Sequence, residues 1–302
     1  MPDLSEFISF IAEKSGVEKP SLIEKDVIIH RILKEIYSSS HFAENYLFKG
    51  GSCLVKCYFG YYRFSVDLDF TWGDQNVWVE IGEKELRRML LEEIRSFGSM
   101  LESVSKETGL EFRNDRQNRR YFEFGGSGRM VTFKLWKNSE LVKIQVSFVD
   151  EVLFPCKKLF AKTLLNAAKI SRMEKAYFEE FLASYKSIQV IAYDEKEILC
   201  EKVRAILTRQ AQKLRDFYDL FVLDKHGFHV GKLKEEIVRK TKACLYYKKY
   251  RENLERNKKL LEATGVLEDP FEREMLVTKP SKDFEVFLKG LEGLLKDIMS
   301  YV

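Results

Sequence analysis

The sequence predicts an α+β protein: a mixed sheet with flanking helices, followed by an all-helical lobe. Three observations predict it. Short runs alternate apolar and polar residues, RFSVDLDF (63–70), RMVTFKLW (129–136) and LVKIQVSFV (141–149) among them, and period two marks a strand with one face buried. Between these runs, apolar residues recur at helical spacing. From Asp194 onward the helical pattern holds for most of the chain. A soft boundary falls near residue 195, separating an α/β domain (1–195) from a helical domain (196–302).

Composition agrees with a folded chain. The 302 residues are 45% apolar and 32% charged, so a substantial core is available and global disorder is excluded. No apolar run approaches the ~20 residues that span a bilayer. The start, MPDLSEF, lacks the basic and apolar stretches of a signal peptide, so a cytoplasmic location is expected. Five cysteines form no CxxC pair, which favours reduced thiols over a disulfide framework or a zinc site. His30, His41, His226 and His229 show no ligand or nucleophile spacing and are expected to be structural.

The elements follow in order. Residues 4–14 and 21–38 read as helices, the second with Leu22, Val27, Ile28, Ile32, Leu33 and Ile36 as an apolar stripe. Ser21 and Glu24 have the spacing of a capping box. NYLFKGGS enters a short strand and a turn, and CLVKCYFGYY can be a helix. RFSVDLDFTW is a strand. Residues 78–106 are helical in pattern. RRYFEF, GGSG and RMVTFKLW form a β-hairpin around a Gly-rich turn, and 141–149 is a further strand. Residues 157–185 read as helical and SIQVIAY (187–193) as a strand.

Two motifs carry chemistry. The first GGS, at 50–52, follows an apolar strand and precedes a helix. There the glycines let backbone N–H groups face a phosphate, and Ser52 can add a hydroxyl. It lacks the GK[ST] ending of a P-loop. The second GGS, at 125–127, is most simply a hairpin turn. Asp67 and Asp69 then stand one pleat apart on one strand face, about 6–7 Å from each other. Asp is a poor strand former, and two such carboxylates repel unless a cation stands beside them. Mg²⁺ takes hard oxygen ligands and shares them with water and substrate phosphate. The alternatives are an exposed strand face, or one Asp paired with Arg63.

A basic stretch is set apart by local charge. The whole chain has a formal net charge of +4, but Lys232 to Lys259 holds eleven Lys/Arg against four Glu, with LYYKKY at 245–250. Basic side chains interleaved with aromatics suit phosphate contacts and base stacking. They equally suit the solvated face of a helix whose tyrosines enter the core.

KGGSCLVK followed by RFSVDLDF resembles the first motif of the nucleotidyltransferase superfamily, in the form carried by the AbiEii/AbiGii toxin family. EKDVIIHRILKEIY (24–37) resembles that family's amino-terminal helix. EKVRAILTRQAQKLRDFYDLFVL (201–223) resembles its carboxy-terminal signature. The resemblance implies a nucleotidyltransferase-type mixed sheet joined to a helical lobe, with NTP and Mg²⁺ as cofactors. It implies a toxin held in check by a separately encoded antitoxin, and by analogy an RNA acceptor such as tRNA.

Carried over by position, Gly50, Gly51 and Ser52 would cradle the triphosphate, with Lys56 near phosphate and Ser65 beside the carboxylates. Asp67 and Asp69 would hold the metal. Lys202 and Asp216 match positions regarded as part of the active site, and Arg209 and Asp219 belong to the same signature. On one continuous helix, Lys202, Arg209 and Asp216 would line one face; the plain alternative is a surface ladder of ion pairs. KIQVSF departs from the superfamily pattern: Gln145 stands where a third carboxylate is common, and Asp150 lies on the opposite pleat parity. With one carboxylate fewer, Asp216 could serve as the base. Nucleotide transfer to a protein or small molecule, including self-modification at Ser65, and a nucleotide-binding module without turnover are the competing readings.

Overall fold

The structure is a computed structural model and describes residues 2–79 and 81–302. Among these residues seven strands form one mixed sheet: β1 (Tyr46–Lys49), β2 (Asp67–Trp72), β3 (Phe122–Gly125), β4 (Met130–Lys137), β5 (Glu140–Ser147), β6 (Lys157–Ala161) and β7 (Ile188–Ala192). Their order is β3-β4-β5-β2-β1-β7-β6. β2 runs antiparallel to β1 and parallel to β5, and β1 runs parallel to β7. The remaining neighbours are antiparallel.

Alternation sets the two faces of β2. Leu68 and Phe70 are fully buried. Phe97 of the Glu83–Thr108 helix packs against Phe70 and Phe133, at ring distances of 6.4 and 5.1 Å. The Pro20–Ser38 helix covers the same core beside it. Successive side chains of a strand point to opposite faces, so Asp67 and Asp69 lie on the face away from these helices.

The chain divides into two compact units. The first runs up to Asp150 and resumes over Lys157–Ala192; the second comprises Glu151–Cys156 and Tyr193–Val302. Residues 151–156 belong to the second unit for an electrostatic reason. The buried Glu197 carboxylate accepts from the backbone N–H groups of Leu153 and Phe154 at 2.7 and 2.8 Å, and pairs with the buried Lys240. Lys240 also donates to the Glu151 carbonyl at 2.6 Å. The second unit is helical, with principal helices Glu195–Thr208, Leu214–Lys225, Lys234–Cys244, Lys248–Leu260 and Lys282–Met299. Among the described residues no helix is long and apolar enough to cross a membrane.

Four expectations are corrected. RFSVDLDF is a regular strand only from Asp67: the β1–β2 ladder ends at the Lys49↔Asp69 pair, where β1 turns into helix at Gly50, and residues 64–66 are irregular. The second helix begins at Pro20, with no side-chain cap, and Glu24 pairs with Lys137 rather than completing a capping box with Ser21. Residues 157–185 open as a strand, β6, paired with β7, and contain only two short helices, Arg172–Tyr177 and Glu179–Ser184. The 201–223 stretch is broken, since one helix ends at Thr208 and the next starts at Leu214. Of the 78–106 stretch, Glu80 lies outside the described residues and the helix runs Glu83–Thr108.

The first unit also buries a polar network. Lys56 donates to Asp26 at 2.6 Å and to Tyr61 at 2.7 Å, and Tyr61 and Tyr185 donate to the same Asp26 carboxylate at 2.8 and 2.5 Å. His30 lies beside it, fully buried, with Nε2 2.7 Å from the Lys186 carbonyl and Nδ1 without a partner. Burial, and next the Lys56 charge, lower its pKa to about 4. The unfolded imidazole titrates near 6.5, so the folded state binds fewer protons between these values. Stability is therefore present above pH 6.5 and is lost as pH falls toward 4, by up to ~1.4 kcal/mol per pH unit. In urea denaturation from pH 7 to 4, His30→Gln should show a flatter pH dependence than the wild type.

Candidate active site

Each half of the chain contributes its own cluster. In the first unit, β1 ends at Lys49 and the chain enters a helical turn, Gly50–Cys53, which continues as a π-helical segment, Leu54–Phe59. Gly50 makes the change of direction with φ +75°, a conformation that favours glycine. A Cβ on Gly50 would stand 2.5 Å from Asp69 Oδ2, so the turn lies directly against this carboxylate. A Cβ on Gly51 would collide with the Arg63 guanidinium, which is itself buried and donates to the Phe64 carbonyl at 2.8 Å.

Ladder registers place the neighbours. Asp69 lies opposite Lys49 on β1 and opposite Gln145 on β5. Lys49 is buried and forms an ion pair with Asp150 at 3.0 Å. Gln75 holds this corner: its Oε1 accepts from the Asp150 N–H at 2.9 Å, and its amide donates to the Trp72 and Phe148 carbonyls at 2.6 and 3.2 Å. Asp67 and Asp69 are both half-buried.

These oxygens suit a hard divalent cation. Asp67 and Asp69 offer carboxylate oxygens, and Gln145 stands at the neighbouring ladder position with an amide oxygen. Among the described residues no group of three or more His, Cys, Asp or Glu is arranged to hold a metal. Two carboxylates alone leave an ion to complete its shell from water and substrate.

In the second unit, Lys202 Nζ lies 2.6 Å from Asp216 Oδ1 and 2.8 Å from Asp219 Oδ2. Arg209 Nη1 lies 2.6 Å from the other Asp216 oxygen. The expected continuous helix does not produce this cluster. Arg209 caps the end of Glu195–Thr208, and the chain reverses so that Leu214–Lys225 brings Asp216 and Asp219 back to Lys202. Asp216 and Asp219 are buried, so this is not a surface ladder. Burial pushes the Asp216 carboxyl up, but Lys202 and Arg209 outweigh it and hold the group well below the usual carboxylate range. Its contribution to stability is present above the unfolded value of ~3.9 and is lost as pH falls through the folded value.

The profile of the nucleotidyl transferase AbiEii toxin family, of type IV toxin–antitoxin systems, matches residues 31–300. The chain belongs to the AbiEii family of nucleotidyltransferase toxins. Among solved structures it is similar to the nucleotidyltransferase toxin MenT4 (Rv2826c) of Mycobacterium tuberculosis H37Rv, at 19% identity and a TM-score of 0.49, over 97% of this chain and 98% of that one. No curated protein matches the sequence.

Two residues of the AbiEii motif have partners within the fold. Lys56 is 2% exposed and its ammonium donates to Asp26 and Tyr61; it ties the helix after the turn to the Pro20–Ser38 helix. The Ser52 hydroxyl is also buried and donates to the Asp67 carbonyl, joining the turn to β2. Ser65 lies half-buried in the irregular segment before β2. The sequence pattern did not single out Lys49, and it offered Arg63 only as a partner for one of the aspartates. The signal for Lys49 was its place immediately before GGS; Asp150 was set aside on strand parity, which ceases to apply because β5 ends at Ser147.

The buried ion cluster yields a prediction. Lys202→Met removes the ammonium that lies 2.6 Å from Asp216 and 2.8 Å from Asp219 and leaves Arg209 on Asp216. Breaking a buried pair costs about 3–5 kcal/mol, which urea denaturation should register. Adding Asp219→Asn to Lys202→Met should restore part of the loss.

Proposed function

We propose that this AbiEii toxin transfers a nucleoside monophosphate from an NTP to an acceptor hydroxyl on RNA, with a tRNA as the model acceptor. The observation that carries this reading is the contact between the Gly50 turn and Asp69, which pairs a backbone cradle with an acidic strand face. In the proposal, Gly50 and Gly51 hold the triphosphate through backbone N–H groups. Asp67 and Asp69 bind a divalent cation, Mg²⁺ being the natural choice for oxygen ligands. When bound, that ion supplies charge neutralisation at the reacting phosphate.

The chain's own groups then position and stabilise. Lys49 and Arg63 provide fixed positive charge behind the carboxylates and the turn. Lys202 and Asp216 act as a charge pair whose geometry is set by burial. Asp216, kept ionised by Lys202 and Arg209, has little tendency to take a proton at neutral pH, so its expected role as a base is given up. The toxin acts in the cytoplasm and is restrained by a cognate antitoxin.

Incubation with each labelled NTP, Mg²⁺ and total RNA tests the reading. Label should enter RNA with at least one NTP, and Asp69→Asn should lower incorporation by ~10²-fold or more. Removal of the divalent ion with a chelator should abolish it. Label found on the protein, at Ser65 for instance, would move the acceptor from RNA to the toxin itself. No incorporation with any NTP would overturn the transfer reaction.

A further inference from the structure

The basic stretch of the second unit resolves into two kinds of surface. Lys240 is buried against Glu197, Arg239 pairs with Glu151 at 2.5 Å, and Lys234 pairs with Asp297 at 2.7 Å. These charges serve the fold. The corner where Lys234–Cys244 gives way to Lys248–Leu260 is different. Lys242, Lys248, Lys249 and Arg251 are exposed there, with Arg251 also donating through Nη1 to the Leu245 and Tyr246 carbonyls at 2.6 and 2.9 Å. Tyr246 of the same corner is 79% exposed, an unusual state for a large ring. Its ring meets Tyr247 edge-on at 5.5 Å, and Tyr247 meets Tyr250 edge-on at 5.9 Å, so the exposed ring is braced from behind. Glu252 lies 3.6 Å from Lys248. The first turn of the Lys248–Leu260 helix carries no acid at all.

The same helix is fixed on its inner side. Asn257 is buried and its amide donates to the carbonyls of Ile206, Leu207 and Arg209 at 3.2, 2.9 and 2.8 Å. Asn253 donates to the Thr208 carbonyl at 2.9 Å. These bonds satisfy the end of the Glu195–Thr208 helix, where backbone acceptors have no helical partner. They also fasten the basic corner to the turn that carries Arg209.

We propose that the Lys242–Arg251 corner is a docking surface for single-stranded RNA, with Tyr246 as a stacking platform for one base and Lys242, Lys248, Lys249 and Arg251 as phosphate contacts. This rests on the RNA reading above and places a segment of the acceptor on the second unit. Four cations around one braced, exposed ring match the alternating phosphates and bases of a single strand. A folded acidic protein would use the charges and leave the ring without a role.

Fluorescence anisotropy of a labelled single-stranded RNA of about 16 nucleotides over a salt series tests the proposal. Tyr246→Ala should weaken binding by about five- to hundred-fold, the equivalent of ~1–3 kcal/mol for one stacked base. Lys248→Ala with Lys249→Ala should reduce the slope of log K against log salt by about 1.4. These side chains are exposed, so the variants are expected to fold, with thermal melts as the check. Binding unchanged within two-fold in both variants would overturn the surface, even if labelled nucleotide still enters RNA. Full dependence on both sites without any incorporation would support the surface and overturn the transfer reading. Poly-glutamate bound as tightly, with the same loss in Tyr246→Ala, would overturn the assignment to nucleic acid.

Discussion

The close approach of a glycine backbone to a carboxylate governs the first unit. Gly50 takes φ +75° with Asp69 Oδ2 2.5 Å from where its Cβ would be, so no other residue type fits without displacing the acid. Three further constraints agree with it. The register Lys49↔Asp69 fixes which acid meets the turn. The Ser52 hydroxyl holds the turn to the Asp67 carbonyl. Arg63 fills the space that a side chain on Gly51 would need. A slip of one residue in β2 would send both aspartates to the face covered by the helices. Turn, register and cation therefore specify one another.

The second unit reaches a similar density of charge by a different route. Two helices of the signature are joined by a reversal, and Lys202 spans two carboxylates while Arg209 holds one of them from the turn. Without the reversal the cluster could not close, because residues fourteen apart on one helix lie about 21 Å from each other along the axis. The reversal in turn needs its carbonyls satisfied, and Asn253 and Asn257 from a third helix do this. A charged site here rests on neutral amides more than thirty residues away in sequence.

Most of the strand pattern was legible, because buried strands declare themselves by alternation and β2, β4 and β5 alternate cleanly. β6 was not, since an edge strand needs only one buried face and its Lys157, Lys158 and Phe160 obscure the period. The pairing of Asp67, Asp69 and the glycine turn could be read from type and spacing. The fate of Lys56 could not: its partners Asp26, Tyr61 and Tyr185 come from separate elements, and nothing local distinguishes a buried lysine from one that meets phosphate. The bond from the Ser52 hydroxyl to the Asp67 carbonyl was hidden for a related reason, because a serine in a turn has the same sequence whichever strand it bonds to. Lys202 and Asp216 were found through a spacing argument whose premise was mistaken; tertiary reversal, not helix period, unites them.

Gln145 has a consequence for charge that goes beyond a missing ligand. It occupies the ladder position beside Asp69 with a neutral amide, while Lys49 and Arg63 supply positive charge to the same neighbourhood and Asp150 is engaged with Lys49. Lys49 and Asp150 cancel each other, so Arg63 is what offsets part of the charge of the two aspartates. A divalent cation alone gains little from such a face, and a bare triphosphate meets two carboxylates that repel it. On the proposed reading each would offset what disfavours the other: the ion would screen the phosphates from Asp67 and Asp69, and the phosphates would supply the oxygens that the protein lacks. On the proposed reading, nucleotide and ion therefore enter as a unit, and the absence of a third acid makes metal occupancy depend on the substrate.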